Sequence, residues 1–145
     1  MNRLRQQIVD GSKHLLNEGE IVAHVVRTLE GPSRIVAMGI AMFFGVMLST
    51  LAQVSILALP IMLLVFYGLY RKRAILATDE NLVLVDCGRW FWKPAKIMER
   101  MPIETPIGKP SGLWMQVKVA DHRLYVVQRR PNMEEIKAAD ADLED

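Results

Sequence analysis

Between Arg34 and Arg71 the chain carries no Asp, Glu, Lys, Arg or His. The run Ile35 to Tyr70 is 36 residues long. About 18 uncharged apolar residues already mark a candidate transmembrane helix, and this stretch is twice that. As one helix it would measure about 54 Å, against a hydrocarbon core of about 30 Å. A single span would have to tilt steeply. Two helices of about 17 residues would reach about 25 Å each, short but sufficient. The most polar part of the run, Ser49 to Ser55, lies at its middle and suits a turn. Pro60 would bend the second arm or sit in its first turn.

The flanks favour two crossings. Arg27 and Arg34 precede the run, and Arg71, Lys72 and Arg73 follow it. Basic flanks stay in the cytoplasm, so both chain ends are expected there. A helical hairpin over residues 35–70 is therefore preferred to one tilted span or to a hairpin buried in a soluble protein. Gly39, Gly45 and Gly68, with Ala37 and Ala41, would allow close helix approach. No cleavable signal sequence is visible in the charged first thirty residues.

The rest of the chain reads as a small α+β domain. Residues 1–18 form an amphipathic segment with Leu4, Ile8, Leu15 and Leu16 at helical spacing. It either packs on the domain or lies on an anionic membrane face. Residues 19–31 hold a first strand, in which Ile21, Ala23, Val25 and Leu29 alternate and Arg27 interrupts. A lone strand needs partners, which must come from residues 73–145. There, Ala74–Ala77 and Leu82–Val85 flank a Thr78–Asn81 turn. A Pro/Gly-rich stretch runs to Gly112, and a hairpin follows from Leu113–Val119 to Leu124–Gln128 around Ala120–Arg123. Asn132 with Glu135 resembles a capping box opening a terminal helix, along which Met133, Ile136, Ala139 and Leu143 form an apolar stripe.

This order, with "LLNEGEIVAHVVRT", "RAILATDENLVLVDCG" and "WMQVKVADHRLYVVQRRPNMEEIKAAD", resembles the bacterial pleckstrin-homology-like (PH-like) membrane proteins. The matching motifs are Gly19-Glu20 before the first strand and Thr78-Asp79-Glu80-Asn81-Leu82 after the hairpin. The resemblance implies an antiparallel β-roll capped by the C-terminal helix and split by a transmembrane hairpin, in a multi-pass protein of the bacterial inner membrane. Glu80-Asn81 stand where a basic residue is usual, so no phosphoinositide-type pocket carries over. The family supplies no catalytic residues.

No catalytic constellation emerges from the residues either. His14, His24 and His122 are scattered without metal-ligand spacing, and no phosphate-binding or nucleophile motif is present. Cys87 is the only cysteine, so no intrachain disulfide can form. The acidic tail Asp140, Asp142, Glu144 and Asp145 reads as a solvated helix end. Neither a cofactor nor a metal is expected, and a net charge of +2 gives no reason to expect nucleic acid. What remains is basic and aromatic. Arg71, Lys72 and Arg73 either mark topology or attract an anionic leaflet, each contributing about 1 kcal/mol near its surface. Arg89, Lys93, Lys96 and Arg100 would extend that field, and "RWFWKPAK" sets Trp90 and Trp92 among these cations. If the stretch is extended, Trp90 and Trp92 share a side and Phe91 takes the other. It would then pack on the sheet, touch the membrane or meet another protein. The expected activity is non-enzymatic binding of a partner protein or larger membrane complex, with a homo-oligomer also open. The alternative is sensing of anionic lipid headgroups.

Overall fold

The computed structural model describes residues 3–111, 115–127 and 129–142, with backbone alone at 129–131. The chain is α+β: a curled, antiparallel six-stranded sheet and four helices. Two compact units divide it, one formed by residues 1–30 and 71–145 and the other by residues 31–70.

In the first unit, α1 (Arg3–Ser12) precedes β1 (Val22–Glu30), and β2 (Arg71–Thr78) to β3 (Asn81–Gly88) and β4 (Lys96–Pro102) follow the helical insert. Then come β5 (Gln116–Val119), β6 (His122–Val126) and α4 (Arg129–Ala141). The sheet order is β4-β3-β2-β1-β6-β5. β1 is thus central, and it pairs with β2 from Val22↔Thr78 to Glu30↔Arg71. β4 and β6 stand far apart in that order, yet Glu99 Oε2 lies 2.7 Å from His122 Nε2. The sheet therefore curls until its two sides meet.

Period-two alternation sorts the side chains onto two faces. Val26, Ile75, Leu82, Leu84, Val117 and Leu124 line the face covered by Ile136 and Ala139 of α4. Val25, Ala74, Leu76, Val83 and Val85 line the other, against Ile8 of α1. Ile8 is fully buried, with Val9, Leu15 and Leu16 packed beside it. The N-terminal segment thus packs on the domain through these side chains.

The second unit contains α2 (Arg34–Leu51), a 3-10 turn at Ser55–Leu57, and α3 (Ala58–Gly68). Ser33 caps α2 by accepting the Val36 N–H, and Gln53 ends it with φ 55°. The chain leaves α2 at residues 52–54, inside the expected polar stretch, although Ser49 and Thr50 remain helical, their hydroxyls bonded to the Val46 carbonyl. The helices run antiparallel. A Cβ on Gly45 would lie 2.2 Å from Met62 Cγ, and one on Gly31 would lie 2.6 Å from Tyr70 Cδ1. Ala37, Ala41, Gly45 and Ser49 form the buried stripe. Gly39 and Gly68 have open space around them and take no part in this approach. Only α2 is long and apolar enough, among the described residues, to cross a membrane. The arms are unequal: the 18 residues of α2 reach about 27 Å, while Ser55–Gly68 reaches about 21 Å. Pro60 sits in the first turn of α3, where its missing N–H costs nothing.

Candidate functional site

The residues singled out by sequence fall at one end of the sheet. This is the end from which the chain leaves for the apolar helices, where β1 finishes, β2 begins and β3 finishes. Glu30 pairs with Arg71 there, and Lys72 pairs with Gly88. Arg71, Lys72 and Arg73 are therefore the first residues of β2 rather than a linker before it. Their side chains alternate. Arg71 is exposed, and Lys72 is half-buried.

Arg73 points into the roll and is 4 % exposed. Its Nε donates to Glu30 Oε2 at 2.6 Å, and Nη1 sits 2.6 Å from Asp86 Oδ1, a charge contact off the hydrogen-bond line. Burial pushes the Asp86 carboxyl up, but the Gly88 N–H and the Arg73 guanidinium, helped by Arg71, outweigh it and hold it below the usual range. Arg73 thus spends its charge inside the fold.

After Gly88, at φ 77°, residues 89–95 form a loop instead of an extended segment. The expected arrangement of side chains is accordingly changed. Trp90 and Phe91 project together, 63 % and 79 % exposed. Trp92 folds back onto the sheet face covered by α1. Its ring lies 5.8 Å from the Arg27 guanidinium and 5.6 Å from Lys72 Nζ, within cation–π range. That contact explains why an arginine interrupts the apolar alternation of β1. Lys72 Nζ also donates to the Trp90 carbonyl at 2.5 Å, tying the loop to β2. Arg89 and Lys93 are exposed in the loop, and Lys96 is exposed at the start of β4.

Across from the loop stands α1. Leu4, Gln7 and Gly11, one stripe of that helix, and Trp90 to Lys93 line an open groove of about 490 Å³. A Cβ at Gly11 would lie 2.9 Å from Pro94 Cδ, so the helix and loop touch there.

At the opposite end of the sheet, the two short motifs behind the family resemblance meet each other. Thr78 Oγ1 donates to Glu20 Oε1 at 2.6 Å, and Asp79 Oδ1 accepts the Ile21 N–H at 2.9 Å. Arg100 closes on Glu20 at 3.1 Å. Burial raises the Glu20 carboxyl, but the bonds from Thr78, the Asn17 N–H and Arg100 outweigh it and hold it below the usual range.

Several polar residues outside this region have partners within the fold. Asp140 accepts the N–H groups of Ile107 and Gly108, at 2.9 and 3.0 Å. His24 lies between Glu135 at 3.0 Å and Asp142 at 2.8 Å, joining β1 to α4. Asn132 is no N-cap, because α4 begins three residues earlier, at Arg129. Buried, its amide exchanges two bonds with the backbone of Arg27 and donates to the Val127 carbonyl. Nothing in the sequence pattern signals these partners, which are more than 30 residues away in every case but Val127. Leu113, Trp114, Gln128, Leu143, Glu144 and Asp145 lie outside the described residues. Among the described residues, no three His, Cys, Asp or Glu gather as metal ligands.

Comparison with family models, with curated proteins and with solved structures finds no match.

Proposed function

We propose that this chain is a membrane-anchored, non-enzymatic binding module of the bacterial inner membrane. In this reading α2 and α3 cross the bilayer as a hairpin, both termini are cytoplasmic, and the sheet is a PH-like roll. Its working surface is the basic and aromatic sheet end, directed at the anionic leaflet. One observation carries the reading. The sheet end joined to the uncharged helices is also the end that exposes Arg71, Arg89, Trp90, Phe91 and Lys93. Tryptophan belongs at a lipid interface, and exposed cations are attracted to its anionic headgroups. The second unit adds support. Its buried stripe is made of small residues, while Ile35, Phe43, Val46, Leu51, Ile56 and Leu64 are exposed. Such a shell suits lipid and would be an aggregation hazard in water.

The test uses the chain's own fluorophores. All three tryptophans, Trp90, Trp92 and Trp114, lie outside the apolar run. Full-length protein is reconstituted in vesicles whose lipids carry bromine near the headgroup. Emission should be quenched, more strongly with phosphatidylglycerol than with phosphatidylcholine alone, and Trp90→Phe should remove about half of the effect. Unquenched emission in both vesicles refutes the contact, and tags at the two termini reporting opposite compartments refute the hairpin.

A partner protein or larger membrane complex is the second reading. It is favoured by β4, which ends the strand order and exposes Met98. Purification in mild detergent followed by mass spectrometry tests it, and a bare monomer counts against it.

A further inference from the structure

We propose that the groove between α1 and the 89–95 loop holds one acyl chain of an anionic phospholipid, with the headgroup at Lys93. This deepens the membrane reading above and rests on it. The groove has the size of ligand clefts, about 300–1,000 Å³. Its walls are Leu4, the Gly11 backbone and three aromatic rings, with polar side-chain atoms only from Gln7, the indoles and Lys93.

That chemistry selects the occupant. A peptide laid in the groove would need partners for its own N–H and C=O groups. The α1 wall offers few, since helical backbone beyond the first turn is bonded within itself. An acyl chain has no such groups to satisfy. The charge at the rim is equally one-sided. Lys93 lines the groove and no carboxylate does, so an anionic headgroup is preferred to a zwitterionic one. Gly11 lets α1 approach the loop closely next to Lys93: a Cβ there would lie 2.9 Å from Pro94 Cδ.

The experiment uses full-length protein in nanodiscs containing a phosphatidylglycerol with a photoreactive diazirine near its acyl terminus. Adducts are mapped by mass spectrometry. The expected result is labelling on α1 and on residues 89–95 as well as on the apolar helices. Gln7→Trp, which fills the groove from an exposed position, should lower the α1 and loop adducts at least fivefold and leave helix adducts unchanged. Lys93→Glu should lower them severalfold with phosphatidylglycerol and little with a phosphatidylcholine analogue. Adducts confined to the helices overturn the groove while leaving the membrane anchor standing. Helices without adducts overturn the anchor itself. Groove labelling that Gln7→Trp leaves intact, or a co-purified polypeptide that protects the groove from label, also overturns this assignment.

Discussion

Arg73 and Asp86 meet at 2.6 Å on neighbouring strands, both nearly withdrawn from water, with Glu30 on the other side of the guanidinium. Such a group is costly to leave half-paired, because the surviving charge stays desolvated. Arg73→Met should destabilise the sheet by about 3 kcal/mol, read as a lowered thermal midpoint of the full chain in detergent. Asp86→Asn should cost less, because Glu30 still faces the arginine.

Acid should unfold the protein through identifiable carboxylates. Glu20 and Asp86 are held below their ordinary ranges, so the folded state binds their protons less readily than the unfolded state does. The stability they give is complete above about pH 5 and is lost as pH falls through their folded values. Glu20→Gln should be less stable than the parent at pH 7, and the gap should narrow towards pH 3. A gap that stays constant with pH would contradict the assignment.

Asn132 supplies an amide where β6 stops pairing with β1, bonding both the N–H and the C=O of Arg27. Asn132→Leu fits the buried site in size but takes the side-chain acceptor from the Arg27 N–H, while the Arg27 C=O keeps the Val127 N–H. A buried group that loses its acceptor costs about 1–3 kcal/mol. Faster amide hydrogen exchange in β1 and α4, with α2 and α3 unchanged, is the expected signature.

Gly45 should be intolerant of a larger side chain. Met62 can move aside for a methyl group, but the Ala58 carbonyl, 3.0 Å from the ideal Cβ position, is backbone. Gly45→Ala should cost about 1 kcal/mol and Gly45→Val more, through separation of α2 from α3. Gly39→Ala, at a position with open space, should be neutral and serves as the control.

Cys87 should be inert in the native state. Its thiol is 4 % exposed, and burial together with the Asp86 charge pushes its pKa up to about 12. Iodoacetamide at pH 8 should label it only as the sheet opens, so that the alkylation rate rises with denaturant. Rapid native labelling would contradict the packing at the end of β3.

What could be read from the residues alone was whatever repeats along the chain. The uncharged run, the polar break at its middle, and the alternation of Val83, Leu84 and Val85 between two faces each follow from local period and composition. The spread of Trp90, Phe91 and Trp92 did not. A seven-residue loop has no period, and its side chains go where Lys72, Arg27 and α1 leave room or offer contact. The same holds for Asn132, Asp140 and His24. Each looks solvated or capping beside its chain neighbours, yet finds partners on β1, on the 107–108 backbone or on α4. The charge of Arg73 marked it for the surface, and only the alternation along β2, which turns it inward beside Ile75, shows otherwise.

The pairing of Glu30 with Arg71 places forty residues where an ordinary β-hairpin would need two. β1 is made early and must wait, unmated, until the helices between it and β2 have been made. Its second neighbour, β6, is almost the last strand to be made. Assembly of the sheet is thereby delayed until β6 exists, and a chain that stops short of it leaves a central strand with one side unmated.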